Sequence, residues 1–300
     1  PRVLLLIEGV CLGNSFFSGR TLLVAFEGWH DAAEAASSAL RFIGEQLDVE
    51  LLAAVDPEEY YDFQFSRPLV SLDSDGKRHL TWPTAELLRP SKEVIAEQPE
   101  FANIYLLVGN EPARRWKTFT DEIVEFIVDA EIDQVIFLGA QLADVPHTRP
   151  ISISASSQNE LARTELNLER SHYEGPVGIM SVLGIAFEKL GIPTMALWAS
   201  VPHYVQNAPS PKATLSMLIE IERYLKVEFD HGSLADDAFT WERSIDELAE
   251  GDEDMAGYIE QLETTRDALD SEAAQGEALA QEFERFLKLE DDVSGGEEQN

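Results

Sequence analysis

The chain has a single cysteine, Cys11, among its 300 residues. No internal disulfide can form, and the composition fits a reducing compartment. Cations are scarce too: 22 Lys and Arg stand against 56 Asp and Glu, a formal net charge of −34. A surface this acidic repels phosphate backbones and anionic lipid heads, which argues against nucleic-acid and membrane partners. No window approaches the ~20 consecutive apolar residues of a membrane span. The opening run PRVLLLIEGV is too short for a signal h-region with its cleavage site. The expectation is a soluble, cytoplasmic protein.

The common catalytic signatures are also missing. There is no G-x-S-x-G elbow, no G-x-x-x-x-G-K-[ST] loop, and no G-x-G-x-x-G after a strand. Cys11 lies in an apolar stretch with no cation beside it in sequence. There is no cysteine pair, and no second histidine stands at helical ligand spacing from the first candidates. No metal and no cofactor is therefore expected, and enzyme activity is the less favoured reading.

What is present is a regular alternation of short apolar runs and amphipathic stretches from residue 1 to about 230. Strands are expected at Thr21–Trp29, Val49–Val55, Asn103–Gly109, Val135–Leu138 and Thr194–Trp198. Pro68–Trp82 reads as a hairpin turning at Asp73-Ser74-Asp75-Gly76. Helices are expected at Asp31–Leu47, with Asp31 as N-cap, at Glu111–Ala130, at about Pro176–Leu190, and from Lys212 to Phe229. Continuous apolar strands covered by helices imply a sheet buried on both faces. The fold class is thus α/β, a three-layer α/β/α arrangement with a mixed, largely parallel sheet.

After Phe229 proline disappears and acidity rises: residues 231–300 hold 22 Asp and Glu against 4 Lys and Arg. Three narrow apolar stripes run through this part: Trp241, Ile245 and Leu248; Tyr258, Leu262 and Leu269; and Leu279, Phe283, Phe286 and Leu287. They predict acidic helices folded as a hairpin against the main body or a neighbouring subunit. The division expected is an α/β/α domain over 1–230, an acidic helical subdomain over 231–290 and a disordered tail over 291–300.

In an open α/β sheet ligands bind beyond the carboxyl ends of the strands. Here those positions carry Glu27, Gly28, Trp29, His30 and Asp31; Asn110, Glu111, Arg114, Arg115 and Trp116; Asp144, His147, Thr148 and Arg149; and His203, Tyr204 and Asn207. Candidate ligand contacts are Trp29, Asn110, Arg114, Arg149 and Tyr204. The weaker catalytic candidates are His147 and His203 as acid or base, with Glu111 as partner carboxylate. Each histidine closes a Val-Pro-His turn, and proline forces the residue before it into an extended conformation. The turns are therefore also natural strand exits, and this bland reading is preferred. The free amides at the expected helix start in YEGPVGI, near Pro176, are a further place to hold an anion, although a plain helix start is preferred.

The stretches VAFEGWHDAAEAAS, LLVGNEPARRWKTFTDEIVE, FLGAQLADVPHTRP, YEGPVGI and LWASVPHYVQNAPSPKAT, followed by the acidic helical region, resemble the proteasome assembly chaperone 2 family in its bacterial branch, from about Thr21 to Leu269. The resemblance implies a phosphorylase/hydrolase-like α/β/α fold and a homo-oligomer, a trimer by best guess. It assigns no catalytic residue. Family members that act on proteasomes dock partly through a C-terminal hydrophobic residue, a tyrosine and one further residue. This chain ends GEEQN, with Glu298 and Gln299 in those places, so docking by that route is not expected. The favoured reading is a non-catalytic, oligomeric protein-binding or assembly module. The alternative is a small-ligand protein, for an anionic or nucleoside-like compound, or a hydrolase- or phosphorylase-like enzyme using the strand-end loops.

Overall fold

A computed structural model describes residues 16–205 and 209–271. Cys11, Asn207, the stripe from Leu279 to Leu287 and the expected tail 291–300 lie outside these described residues. The order of elements is β1 (Thr21–Glu27), α1 (Ala35–Gln46), β2 (Glu50–Ala54), α2 (Pro57–Tyr60), β3 (Leu69–Leu72), β4 (Arg78–Thr81), β5 (Ala85–Arg89) and α3 (Lys92–Glu97). Then come β6 (Ile104–Asn110), α4 (Trp116–Asp129), β7 (Gln134–Ala143), β8 (Ile153–Ser156), α5 (Glu160–Leu166), α6 (Ile179–Lys189), β9 (Thr194–Pro202), α7 (Pro211–Leu225) and α8 (Leu234–Glu250). A last helical stretch covers 253–271.

Seven strands form one mixed sheet in the order β2-β5-β6-β1-β7-β9-β8. Its four central strands, β6, β1, β7 and β9, are mutually parallel, while β5, β2 and β8 are antiparallel to their neighbours. Alternation along the central strands sends side chains to two separate cores. Leu22, Val24 and Phe26 of β1 pack with Val135 and Phe137 of β7 beneath α4 and α6, on Phe119, Ile123, Leu183 and Phe187. Leu23 and Ala25, with Ile136, Leu138, Leu197 and Val201, face α1 and α7 on the other side. Each fully buried leucine or phenylalanine of this kind contributes about 2 kcal/mol, and two such layers make the sheet the rigid base of the molecule. Among the described residues no helix is long and apolar enough to cross a membrane.

Several boundaries differ from expectation. The hairpin is present, but β3 and β4 form a separate two-stranded ribbon whose strand residues are all exposed; the mixed character of the main sheet comes from β2, β5 and β8. The helix expected from Glu111 begins at Trp116. Glu111 still donates its amide to Glu27 O at 3.0 Å, and the amides of Ala113 and Arg114 are held by Tyr60 O, so the chain cannot turn helical sooner. Asp31 does cap α1, but from a distance. A short 3-10 turn, Ala32–Glu34, intervenes, and the Asp31 carboxylate accepts from Ala36 N at 2.8 Å and Ser37 N at 3.3 Å.

In α8 the buried stripe is Leu234, Ala238, Ile245 and Ala249, while Leu248 is exposed; in the next helix Ile259 and Leu262 are buried and Leu269 is exposed. Of the predicted stripes, Ile245 and Leu262 are thus buried while Leu248 and Leu269 turn outward, and on α8 the alanines share the buried face.

Candidate functional site

The parallel centre of the sheet fixes where polar loops gather. Glu27 pairs with Asn110 in register, and Ala143 with Pro202, so the four central strands end at one rim. Ala85, opposite Gly109, and Ala54, opposite Glu86, bring the β2 end and the β5 start to the same side. Along this rim the functional side chains fall into two groups.

The first group stands at the ends of β7 and β9. The two Val-Pro-His turns are not equivalent. Pro202 is still in register with Ala143, and His203 donates its amide to Ala143 O at 3.1 Å, whereas His147 lies beyond the end of β7. Both histidines nonetheless rest edge-on against Tyr204, with ring centroids 5.9 and 5.8 Å away, and Tyr258 completes the cluster against His203.

The Tyr204 hydroxyl accepts from the His147 amide at 2.7 Å and meets Nδ1 of the same residue at 2.9 Å. Its one proton therefore points at Nδ1, which leaves the proton of neutral His147 on Nε2, donating to Asp246 Oδ1 at 3.1 Å. Burial pushes the His147 imidazole pKa down against the pull of Asp246, and burial pushes the Tyr204 hydroxyl up to about 12. His147 is 0% exposed.

What covers it is the chain's own acidic helices. Asp246 and Glu242 come from α8, Glu263 and Asp267 from 253–271. Arg149 donates to both oxygens of Asp267 at 2.7 and 2.8 Å and to Glu263 at 3.2 Å, in a forked geometry that fixes direction as well as charge. Thr148 also donates to Glu263, and Lys212 bridges Glu242 to the His147 carbonyl. His203 Nδ1 lies 3.1 Å from Asp144. Between these helices and the rim is a cleft of about 340 Å³, lined by His147, Thr148, Asp246, Glu250, Ile259 and Glu263.

The second group stands at the ends of β1 and β6. Asn110 Nδ2 donates to Glu27 Oε2 at 2.7 Å, Arg41 pairs with the same carboxylate, and Tyr61 donates to Asn110 O at 2.9 Å. Gly28, with φ of 137°, lets β1 turn out of the sheet. The helix expected at Pro176 starts instead at Ile179, and its N-terminus is already occupied: Glu111 Oε1 accepts from Ile179 N at 2.8 Å. His30 lies 3.8 Å from that same oxygen and is 4% exposed.

The predicted residues are therefore divided. His147, His203, Tyr204 and Arg149 come together; Glu111 and Asn110 belong to the other group; Trp29 is exposed beside it. Arg114 belongs to neither, because its guanidinium donates to Glu58 O at 2.8 Å, while Arg115 pairs with Glu59. Both arginines are thus engaged by residues of α2. His30 was visible in the sequence only as one of several rim residues; nothing in the pattern of neighbours marks it for burial. Among the described residues no three His, Cys, Asp or Glu side chains are gathered as for a metal ion.

The PAC2 family model matches residues 25–249. A PAC2 family protein from Streptomyces avermitilis is 41% identical, over 80% of this chain and 99% of its own, with a TM-score of 0.69. A proteasome-assembly chaperone homologue from Mycobacterium tuberculosis is 36% identical, over 80% of this chain and 99% of its own, also with a TM-score of 0.69. An archaeal homologue of proteasome-assembly chaperone from Pyrococcus furiosus shares the fold at 16% identity, over 83% of this chain and 95% of its own, with a TM-score of 0.54. No curated protein matches the chain.

Proposed function

The chain belongs to the PAC2 family, and from that premise we propose that it is a non-catalytic protein-binding module that works as a homo-oligomer. The observation that carries this reading is the bare apolar surface of the β3–β4 ribbon. Phe65 is 85% exposed and Leu69 71%, and Leu72, Leu80, Leu51 and Val70 are exposed with them. Isolated exposed apolar residues are ordinary, but a two-stranded ribbon with four of them is the kind of patch that another chain covers.

Charge points the same way. In a chain of net charge −34, the ribbon segment 68–82 carries two acids, Asp73 and Asp75, against Lys77 and Arg78. It is a locally neutral face, on which like-charged copies can meet without strong repulsion. The acidic helices over the His147 cluster support the non-catalytic half of the reading, since they bury the imidazole completely and engage its Nε2 through Asp246. The assembly role named for its relatives is consistent with such a surface, and a trimer is the form we expect.

Light scattering on the eluting protein tests this. The wild type should run as an oligomer, and a Leu69→Lys, Leu80→Lys double variant should run as a monomer that still unfolds cooperatively, at a midpoint lowered by the loss of association. A monomeric wild type at micromolar concentration, or an oligomer indifferent to the double substitution, sinks the proposal.

A further inference from the structure

His30 carries an unexplained cost. Its side chain is 3% exposed, yet among the described residues neither Nδ1 nor Nε2 has a hydrogen-bond partner. Buried polar groups without partners are rare in folded proteins, and one that persists calls for an occupant. Three polar groups converge at this point. Nδ1 faces Glu111 Oε1 at 3.8 Å, too long for a direct bond, and that oxygen takes the Ile179 amide at the start of α6. Gly178 makes the approach feasible: a Cβ there would stand 2.6 Å from His30 Nδ1 and 3.0 Å from Glu111 Oε1. The exposed segment 171–177 leads directly into this turn.

We propose that His30, Glu111 and the first turn of α6 form a subsite for one hydroxyl edge of an uncharged polyol, of which a pentose sugar is the simplest, admitted when the 171–178 loop swings aside. The chemistry selects this class. A neutral imidazole presents one donor and one acceptor, and a hydroxyl is both, so it can bridge His30 and the Glu111 carboxylate at once. Burial holds the His30 pKa down, which keeps the ring neutral. An anion would have to evict Glu111 and sit near Glu27, and an ammonium would face the positive end of α6.

Ligand-observed saturation-transfer NMR with D-ribose on the full chain is the test, with ribose 5-phosphate and putrescine as charged controls. Wild type should transfer saturation to ribose and to neither control. His30→Phe removes both orphan nitrogens at similar volume, so it should fold with a raised thermal midpoint yet bind ribose about tenfold more weakly, the factor set by one lost buried hydrogen bond. Gly178→Ala should weaken binding likewise. Transfer to putrescine rather than ribose, ribose binding untouched by both substitutions, or no transfer to folded wild type at millimolar ribose each overturns the proposal. So does a crystal soaked in ribose that shows a lone water between His30 and Glu111. The oligomer measured above is unaffected by any of these results, so the two readings fail separately.

Discussion

His147 and Asp246 are 99 residues apart in the chain and 3.1 Å apart in space, and the imidazole between them and Tyr204 is fully buried. A histidine that the sequence places at a strand exit thus becomes the socket for a helix from the acidic end of the molecule. The contact ties the rim beyond the end of β7 to α8, and it does so with a neutral ring.

That neutrality makes stability fall with acid. The His147 pKa is lowered in the folded state, by burial before all else, with Asp246 and Glu242 pulling the other way and Lys212 adding to the decrease. The unfolded chain therefore binds a proton that the native state refuses, and stability rises with pH across the window below about 6.5. One such group contributes at most about 1.4 kcal/mol per pH unit. His147→Gln, which keeps a donor toward Asp246, should flatten the fall of the urea midpoint between pH 6.5 and 5 without abolishing it, because His30 titrates with the same sign. A variant that loses stability on acidification as steeply as wild type excludes the assignment.

The cover itself rests on charge. Arg149 holds Asp267 with two bonds and reaches Glu263, and this fork sits where it is open to water and salt. Screening shortens from ~8 Å at physiological ionic strength to ~3 Å at 1 M. Arg149→Ala, or wild type in 1 M NaCl, should therefore speed amide exchange across 253–271 and expose the turn at Gly251 to protease. Exchange in β1 and β7 should stay as it was. Equal protection of the last helix in all three conditions counts against an electrostatic latch.

Asp31 offers a measure of the distant cap. Its buried carboxylate serves Ala36 and Ser37 across a turn in which Ala33 and Glu34 adopt positive φ. Asp31→Ala leaves those amides unpaired and should cost about 1 kcal/mol, at the scale of ordinary N-caps. Urea denaturation measures it. A loss no larger than at an exposed surface site would mean that the 3-10 turn, not the side chain, starts α1.

How far the sequence foretold this molecule depended on whether the signal was local. The runs TLLVAFE and QVIFLGA are apolar on both sides of the period, and a strand buried on two faces is the only economical use for them. Once the strands were parallel, Glu27, Asn110, Asp144 and His203 had to share a rim. Side-chain pairing across long separations was not readable: Asp246, Glu263 and Asp267 look like any solvated acids until α8 and 253–271 fold back on Arg149 and His147. The helix stripes held at Ile245 and Leu262 but not at Leu248 and Leu269, for a related reason. Ala238 and Ala249 carry little hydrophobic signal, but their small size decides which face of α8 meets α7. The unpartnered His30 left no trace at all, since an absence of partners has no spacing.

Gly109 joins the sheet to the rim most tightly. It faces Ala85 across the antiparallel β5–β6 pair, one residue before Asn110. A Cβ added there would fall 2.1 Å from Thr84 O and 2.5 Å from the Ala85 Cα. Those are backbone atoms, so no rotamer change relieves the overlap, and β5 must move away from β6 as a unit. Thr84 O also accepts from Asn110 N at 3.0 Å, so the movement pulls on the residue that braces Glu27. Gly109→Ala should therefore cost about 3 kcal/mol, at the upper end for overpacking, and should disturb the β1–β6 end of the rim while leaving the His147 cluster in place. The urea midpoint reads the first effect. Backbone amide shifts of Asn110 and Glu111, set against those of His147 and Tyr204, read the second. Equal perturbation of both groups would show that the rim moves as one body.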